Sequence, residues 1–62
     1  LKVFLDDKEF SFNKPISVKR LLESLNLNPE SHIVLVNGAI KTPDSKISED
    51  ANVRIVRAVS GG

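Results

Sequence analysis

An α+β fold, one short helix lying on a mixed sheet, is what this 62-residue sequence predicts. Three observations carry that expectation. Apolar residues alternate at period two near both ends of the chain, one apolar stripe at helical spacing lies between them, and Asn37-Gly38 is a strong tight-turn signal in the second half. The length allows a single domain with one core.

Leu1, Val3 and Leu5 alternate with Lys2 and Phe4, which reads as a strand with one face on a core. Asp6 to Lys8 supplies its turn, and Phe10 and Phe12 around Ser11 make a second strand, so the chain opens with an antiparallel hairpin that Pro15 ends. Ser17 then caps a helix. Val18, Leu21, Leu22 and Leu25 form its apolar stripe, Asn26 is suited to the left-handed conformation that closes it, and Pro29 prevents its resumption. About two turns do not stand alone in water, so this stripe must lie on the sheet.

Ile33 to Val36 is apolar on both faces and reads as a strand packed on the helix on one side. The Asn37-Gly38 turn returns the chain briefly through Ala39 and Ile40, and the stretch from Lys41 to Asn52 is a loop anchored by Ile47. A last strand starts at Val53 and runs into Val59. A hairpin followed by a helix on one face does not continue as a meander, so the last strand is expected mid-sheet, parallel to the first, after a right-handed crossover. That architecture is a β-grasp, the ubiquitin-like roll, with four or five strands. Residues 1–59 would form the domain and residues 60–62 a flexible reactive tail.

Composition removes most other readings. Nine Lys and Arg against eight Asp and Glu leave a formal charge of +1, not the broad basic surface of a nucleic-acid binder. Cys is absent, which excludes disulfides, thiolate zinc sites and a cysteine nucleophile. The longest apolar run, Ile33 to Val36, is too short to span a membrane. His32 is the single histidine and has no partner in the sequence for metal or nucleophile chemistry, so it reads as a solvated residue at a strand start. Neither a metal site nor a phosphate-binding glycine loop is expected. The chain is expected not to be an enzyme.

The closing Ser60-Gly61-Gly62 is different. Two glycines at two given positions arise by composition in about half a per cent of chains, taking Gly at about 7%. A terminal carboxylate on such a tail stands on roughly 10 Å of backbone. With no Cβ at the last two residues, it fits a narrow channel and takes any φ there. The carboxylate becomes an acyl donor once adenylated by ATP, and the activation must come from another protein.

The Val36-Asn37-Gly38 turn and the closing Val53-Arg54-Ile55-Val56-Arg57-Ala58-Val59-Ser60-Gly61-Gly62 resemble those of ubiquitin-like sulfur carriers of the ThiS and MoaD type. The strand ending in Val-x-Gly-Gly is the specific part. This resemblance implies that a ThiF/MoeB-type adenylyltransferase adenylates Gly62 with ATP. A sulfur donor protein then yields a thiocarboxylate, which a downstream synthase consumes. It also implies a cytoplasmic protein with no bound cofactor. The short length and the Asn37-Gly38 turn lie nearer the thiamine-thiazole branch than the longer molybdopterin branch, and tRNA thiolation is another outlet. Where many relatives have Asp-Gly-Asp before the last strand, this chain has Glu49, Asp50 and Ala51, so that turn is built differently. Two alternatives stay open: a small protein modifier joined to lysines through the same Gly-Gly, and a noncovalent interaction domain with an inert tail.

A docking surface is also expected. If Leu1, Val3, Leu5, Phe10, Phe12, Ile33, Leu35, Val53 and Ile55 face the helix, alternation puts Phe4, Val34 and Val56 on the uncovered face. Arg54 and Arg57 would steer an acidic rim of the activating enzyme towards it.

Overall fold

The chain opens with an antiparallel hairpin of β1 (Lys2–Leu5) and β2 (Lys8–Ser11), in which Val3 pairs with Phe10 and Leu5 with Lys8. Asp6 begins its two-residue turn at φ 55°, a backbone conformation that Asp tolerates better than most residues. Phe12 prolongs the pairing by donating its N–H to Leu1 O at 2.9 Å. These positions come from a computed structural model, which describes residues 1–58. The expected tail, Ser60 to Gly62, lies outside the described residues, as does Val59.

After Pro15, a two-residue strand, β3 (Ile16–Ser17), leads directly into α1 (Val18–Ser24). Ser17 is the N-cap, its Oγ accepting from the Arg20 N–H at 3.2 Å. The helix closes in a Schellman motif. Leu27 N–H donates to Leu22 O at 2.8 Å and Asn26 N–H to Glu23 O at 3.1 Å, with Asn26 left-handed at φ 59°. Val18, Leu21 and Leu22 are buried and Leu25 packs against them, so the predicted stripe is the face on the sheet. Burial of each leucine contributes roughly 1.5–3 kcal/mol, which is what holds so short a helix together.

The chain then forms β4 (His32–Val36) and β5 (Ala39–Lys41), with Val36 opposite Ala39 across Asn37-Gly38. Both turn residues have positive φ, 52° and 87°, as a type I′ turn requires. The following loop contains β6 (Lys46–Ile47), a short partner of β3 that the sequence reading treated as loop: Ile16 pairs with Ile47 and Ser17 with Lys46. Ile47 is buried, as expected of the loop's anchor. Last comes β7 (Asn52–Arg57).

The five-stranded sheet has the order β2-β1-β7-β4-β5. β7 is its central strand, parallel to β1 and antiparallel to β4, which is the predicted β-grasp. Val3, Val53 and Ile55 face the helix, with Leu1, Leu5, Phe10 and Phe12 packed at the margin.

One face assignment is reversed. Val34, expected on the uncovered side, is 2% exposed and pairs with Ile55, while Val36 pairs with Val53. Cross-strand partners share a face, so Val34 and Val36 join the core, and Ile33 and Leu35 turn away from the helix.

Candidate functional site

Among the described residues no helix covers the far side of the sheet, and the registers place one row of residues across all five strands there. Phe4 pairs with Glu9 on one side and Arg54 on the other, Arg54 with Leu35, and Leu35 with Ile40. Phe4, Leu35 and Ile40 therefore share a face with Arg54 over three strand spacings, about 14 Å. Two residues further along β7, Val56 pairs with Ile33 and extends the apolar surface towards the end of the strand. Phe4 is 36% exposed, Val56 37% and Ile40 70%. Ile33 and Leu35 are half-buried by their neighbours in the sheet.

This is a contiguous apolar face in a domain of only 62 residues, with one cation set in its middle. A contiguous exposed apolar patch of this kind is a candidate interaction surface. Arg54 is exposed on this face.

Of the five residues expected to form a partner surface, Phe4, Arg54 and Val56 lie on this face. Val34 does not, because it is core. Arg57 pairs with His32 and alternates to the other side, yet it lines a shallow hollow with Phe4, Asp6, Arg54 and Val56 at the end of β7. Ile33, Leu35 and Ile40 are the residues that the sequence reading missed. Ile40 was legible as an apolar residue on a short edge strand, whereas Ile33 and Leu35 carried no signal of face within an all-apolar run.

A second shallow hollow, lined by Phe4, Leu35, Gly38, Asn52 and Arg54 among others, occupies the opposite end of the same face. Its wall is fixed by a reciprocal pair: Asn37 N–H donates to Asn52 O at 2.8 Å, and Asn52 N–H donates to Asn37 Oδ1 at 3.0 Å. At the other end, Ala58 N–H donates to Ser31 O at 2.8 Å and ties down the last described residue. The chain passes from there into Val59-Ser60-Gly61-Gly62. The expected reactive residues, Gly62, Gly61 and Ser60, lie outside the described residues.

His32 begins β4, half-buried, with Nδ1 3.0 Å from Asn28 O and 3.1 Å from Ser31 Oγ. These local contacts fit a structural residue. Among the described residues no group of three or more His, Cys, Asp or Glu is placed to hold a metal ion, and no helix is long and apolar enough to cross a membrane.

Comparison with known proteins agrees with this geometry. The model of the ThiS family matches residues 1–62. The crystal structure of the thiamine biosynthesis protein ThiS from Geobacter metallireducens superposes with a TM-score of 0.70 over 100% of both chains at 17% sequence identity, a likeness of fold. An uncharacterized protein of Archaeoglobus fulgidus is 43% identical over 42 residues, which are 68% of this chain and 61% of that protein. The match thus spans less than two thirds of that relative's length.

Proposed function

The chain belongs to the ThiS family, and from that membership we propose that it is a sulfur carrier, not an enzyme, with the α-carboxylate of Gly62 as its reactive group. The observation that carries the reading is that the family match runs over residues 1–62 and so includes Gly61 and Gly62. In this reading an ATP-dependent adenylyltransferase of the ThiF/MoeB type receives the domain through Phe4, Ile33, Leu35, Ile40, Arg54 and Val56. Arg57 is the last residue of β7, and in this reading its charge acts at the mouth of the partner's channel. Val34 has no part in docking because the core occupies it.

The chemistry is an acyl activation. A carboxylate oxygen of Gly62 attacks the α-phosphorus of ATP, pyrophosphate leaves, and the acyl-adenylate forms. Hydrosulfide delivered by a donor protein then attacks the carbonyl carbon, the C–O bond to AMP breaks and AMP leaves, so that sulfur is held on Gly62 as a thiocarboxylate with no change of oxidation state. The absence of cysteine agrees with a carrier that holds sulfur on its terminus. A cytoplasmic synthase would consume it, with the thiamine thiazole as the proposed product on the length and turn argued above. The carrier itself binds no cofactor in this scheme, since ATP belongs to the activating enzyme.

ATP–pyrophosphate exchange by the purified adenylyltransferase tests the first step. Exchange that depends on this chain and is lost on deletion of Gly61 and Gly62 supports the proposal. Exchange indifferent to the deletion overturns it.

A further inference from the structure

A groove of about 670 Å³ lies between the end of β2, β3, α1 and β6, and it shares no lining residue with the hollows of the open face. Its lining includes Phe12, Pro15 and Ile16, together with Lys14, Arg20 and Lys46. The three cations come from three separate segments: the β2–β3 connection, the helix and β6. No carboxylate lines the groove with them. The fold thus gathers three like charges on one groove.

The scaffold beneath is ordered by its own bonds. Ser17 caps the helix through the Arg20 N–H and pairs with Lys46 in the β3–β6 ladder. Phe12 and Ile16 pack against the core, so the apolar part of the groove is anchored. All three cations are exposed and free to reorient towards an incoming charge.

We propose that this groove docks an acidic, extended segment of a protein partner, with carboxylates on Lys14, Arg20 and Lys46 and an apolar side chain against Phe12, Pro15 and Ile16. Charge complementarity selects the sign of the occupant. The apolar lining distinguishes a peptide from a small inorganic anion, which would leave it unused, and a net charge of +1 does not give the extended basic surface that nucleic acid requires. The lining runs along the continuous stretch from Phe12 to Ser17, with Arg20 and Lys46 beside it, an elongated shape that suits an extended chain. The proposal is independent of sulfur carriage, because the groove shares no lining residue with the hollows of the open face.

The test is a titration of the ¹⁵N-labelled chain with three probes: a synthetic peptide of two leucines flanked by Asp and Glu, its Asn/Gln counterpart, and inorganic phosphate. The expected result is saturable shifts with the acidic peptide alone, confined to the amides of residues 12–20 and Lys46, and weakened by salt. The double variant K14E/R20E should bind at least about tenfold more weakly. The neutral pair K14Q/R20Q, which leaves two exposed polar side chains in place, gives the same answer if charge reversal disturbs the fold. Shifts centred on Phe4, Leu35 and Val56, equal shifts with phosphate, affinity indifferent to both double variants, or no saturable binding at millimolar peptide would each overturn the proposal.

Discussion

Asn37 and Asn52 exchange two hydrogen bonds, one through the Asn37 backbone N–H and one through its side-chain Oδ1, so the β4–β5 turn is tied to the first residue of the central strand. The same asparagine holds φ at 52°. Asn37→Ala loses both the tolerance of positive φ, about 1 kcal/mol, and a hydrogen bond worth about 1 kcal/mol, so its unfolding free energy in urea should fall by about 2 kcal/mol. Asn37→Gly restores the first part alone. Equal loss in the two variants would show that the backbone conformation contributes nothing.

The reversed face of β4 gives a second prediction. Val34→Asp buries an unpaired carboxylate opposite Ile55, at a cost of several kcal/mol against a total stability of about 5 kcal/mol for so small a domain, and it should be unfolded by circular dichroism. Ile40→Asp, on a side chain 70% exposed, should change stability by no more than about 0.5 kcal/mol. It should nevertheless weaken binding to the adenylyltransferase about tenfold, since it puts a carboxylate into the apolar docking row. A folded Val34→Asp, or an Ile40→Asp that binds normally, contradicts the face assignment.

How far the fold was legible follows from what each segment encodes locally. The hairpin, the Ser17 cap, the helix stripe, Asn26 and Asn37-Gly38 are short-range signals, and each forms as the sequence predicts. The face of β4 has no such signal. Four consecutive apolar residues from Ile33 to Val36 suit either phase, and a one-residue shift exchanges the two faces, so only pairing with the distant Ile55 and Val53 decides it. The β3–β6 ladder is hidden for the same reason: Ile16 and Ile47 each look like lone apolar residues until the fold brings them together. Phe4, Arg54 and Val56 were legible on the candidate surface because their strands alternate. Arg57, expected at the edge of that surface, alternates to the side of Ile55 and lines the hollow at the end of β7.

Asp44 provides a pH prediction. The Thr42 hydroxyl, 2.5 Å from Asp44 Oδ1, and then a backbone hydrogen bond hold its carboxyl below the ordinary carboxylate range. Because the folded state favours the charged form, this contribution is present above the unfolded carboxyl's pKa and is lost as pH falls through the depressed value. Carboxyl ¹³C titration should show Asp44 moving up towards the ordinary value in Thr42→Val. An unchanged titration would rule out the hydroxyl as the cause.

Gly61→Ala and Gly62→Ala should melt with the parent, since the buried core of the described residues is built from Val3 to Ile55, while adenylation slows strongly. The added Cβ restricts φ and widens a segment proposed to thread a narrow channel. Normal rates of pyrophosphate exchange in both variants would contradict that steric requirement.

Intact-mass analysis of the chain after incubation with the adenylyltransferase, ATP and a sulfur donor is the most direct test of sulfur carriage. The account predicts a mass gain equal to replacement of one oxygen by sulfur, located by fragmentation at Gly62 and absent without ATP. An unchanged mass, or conversion solely to higher-mass conjugates with lysines of other proteins, would contradict it.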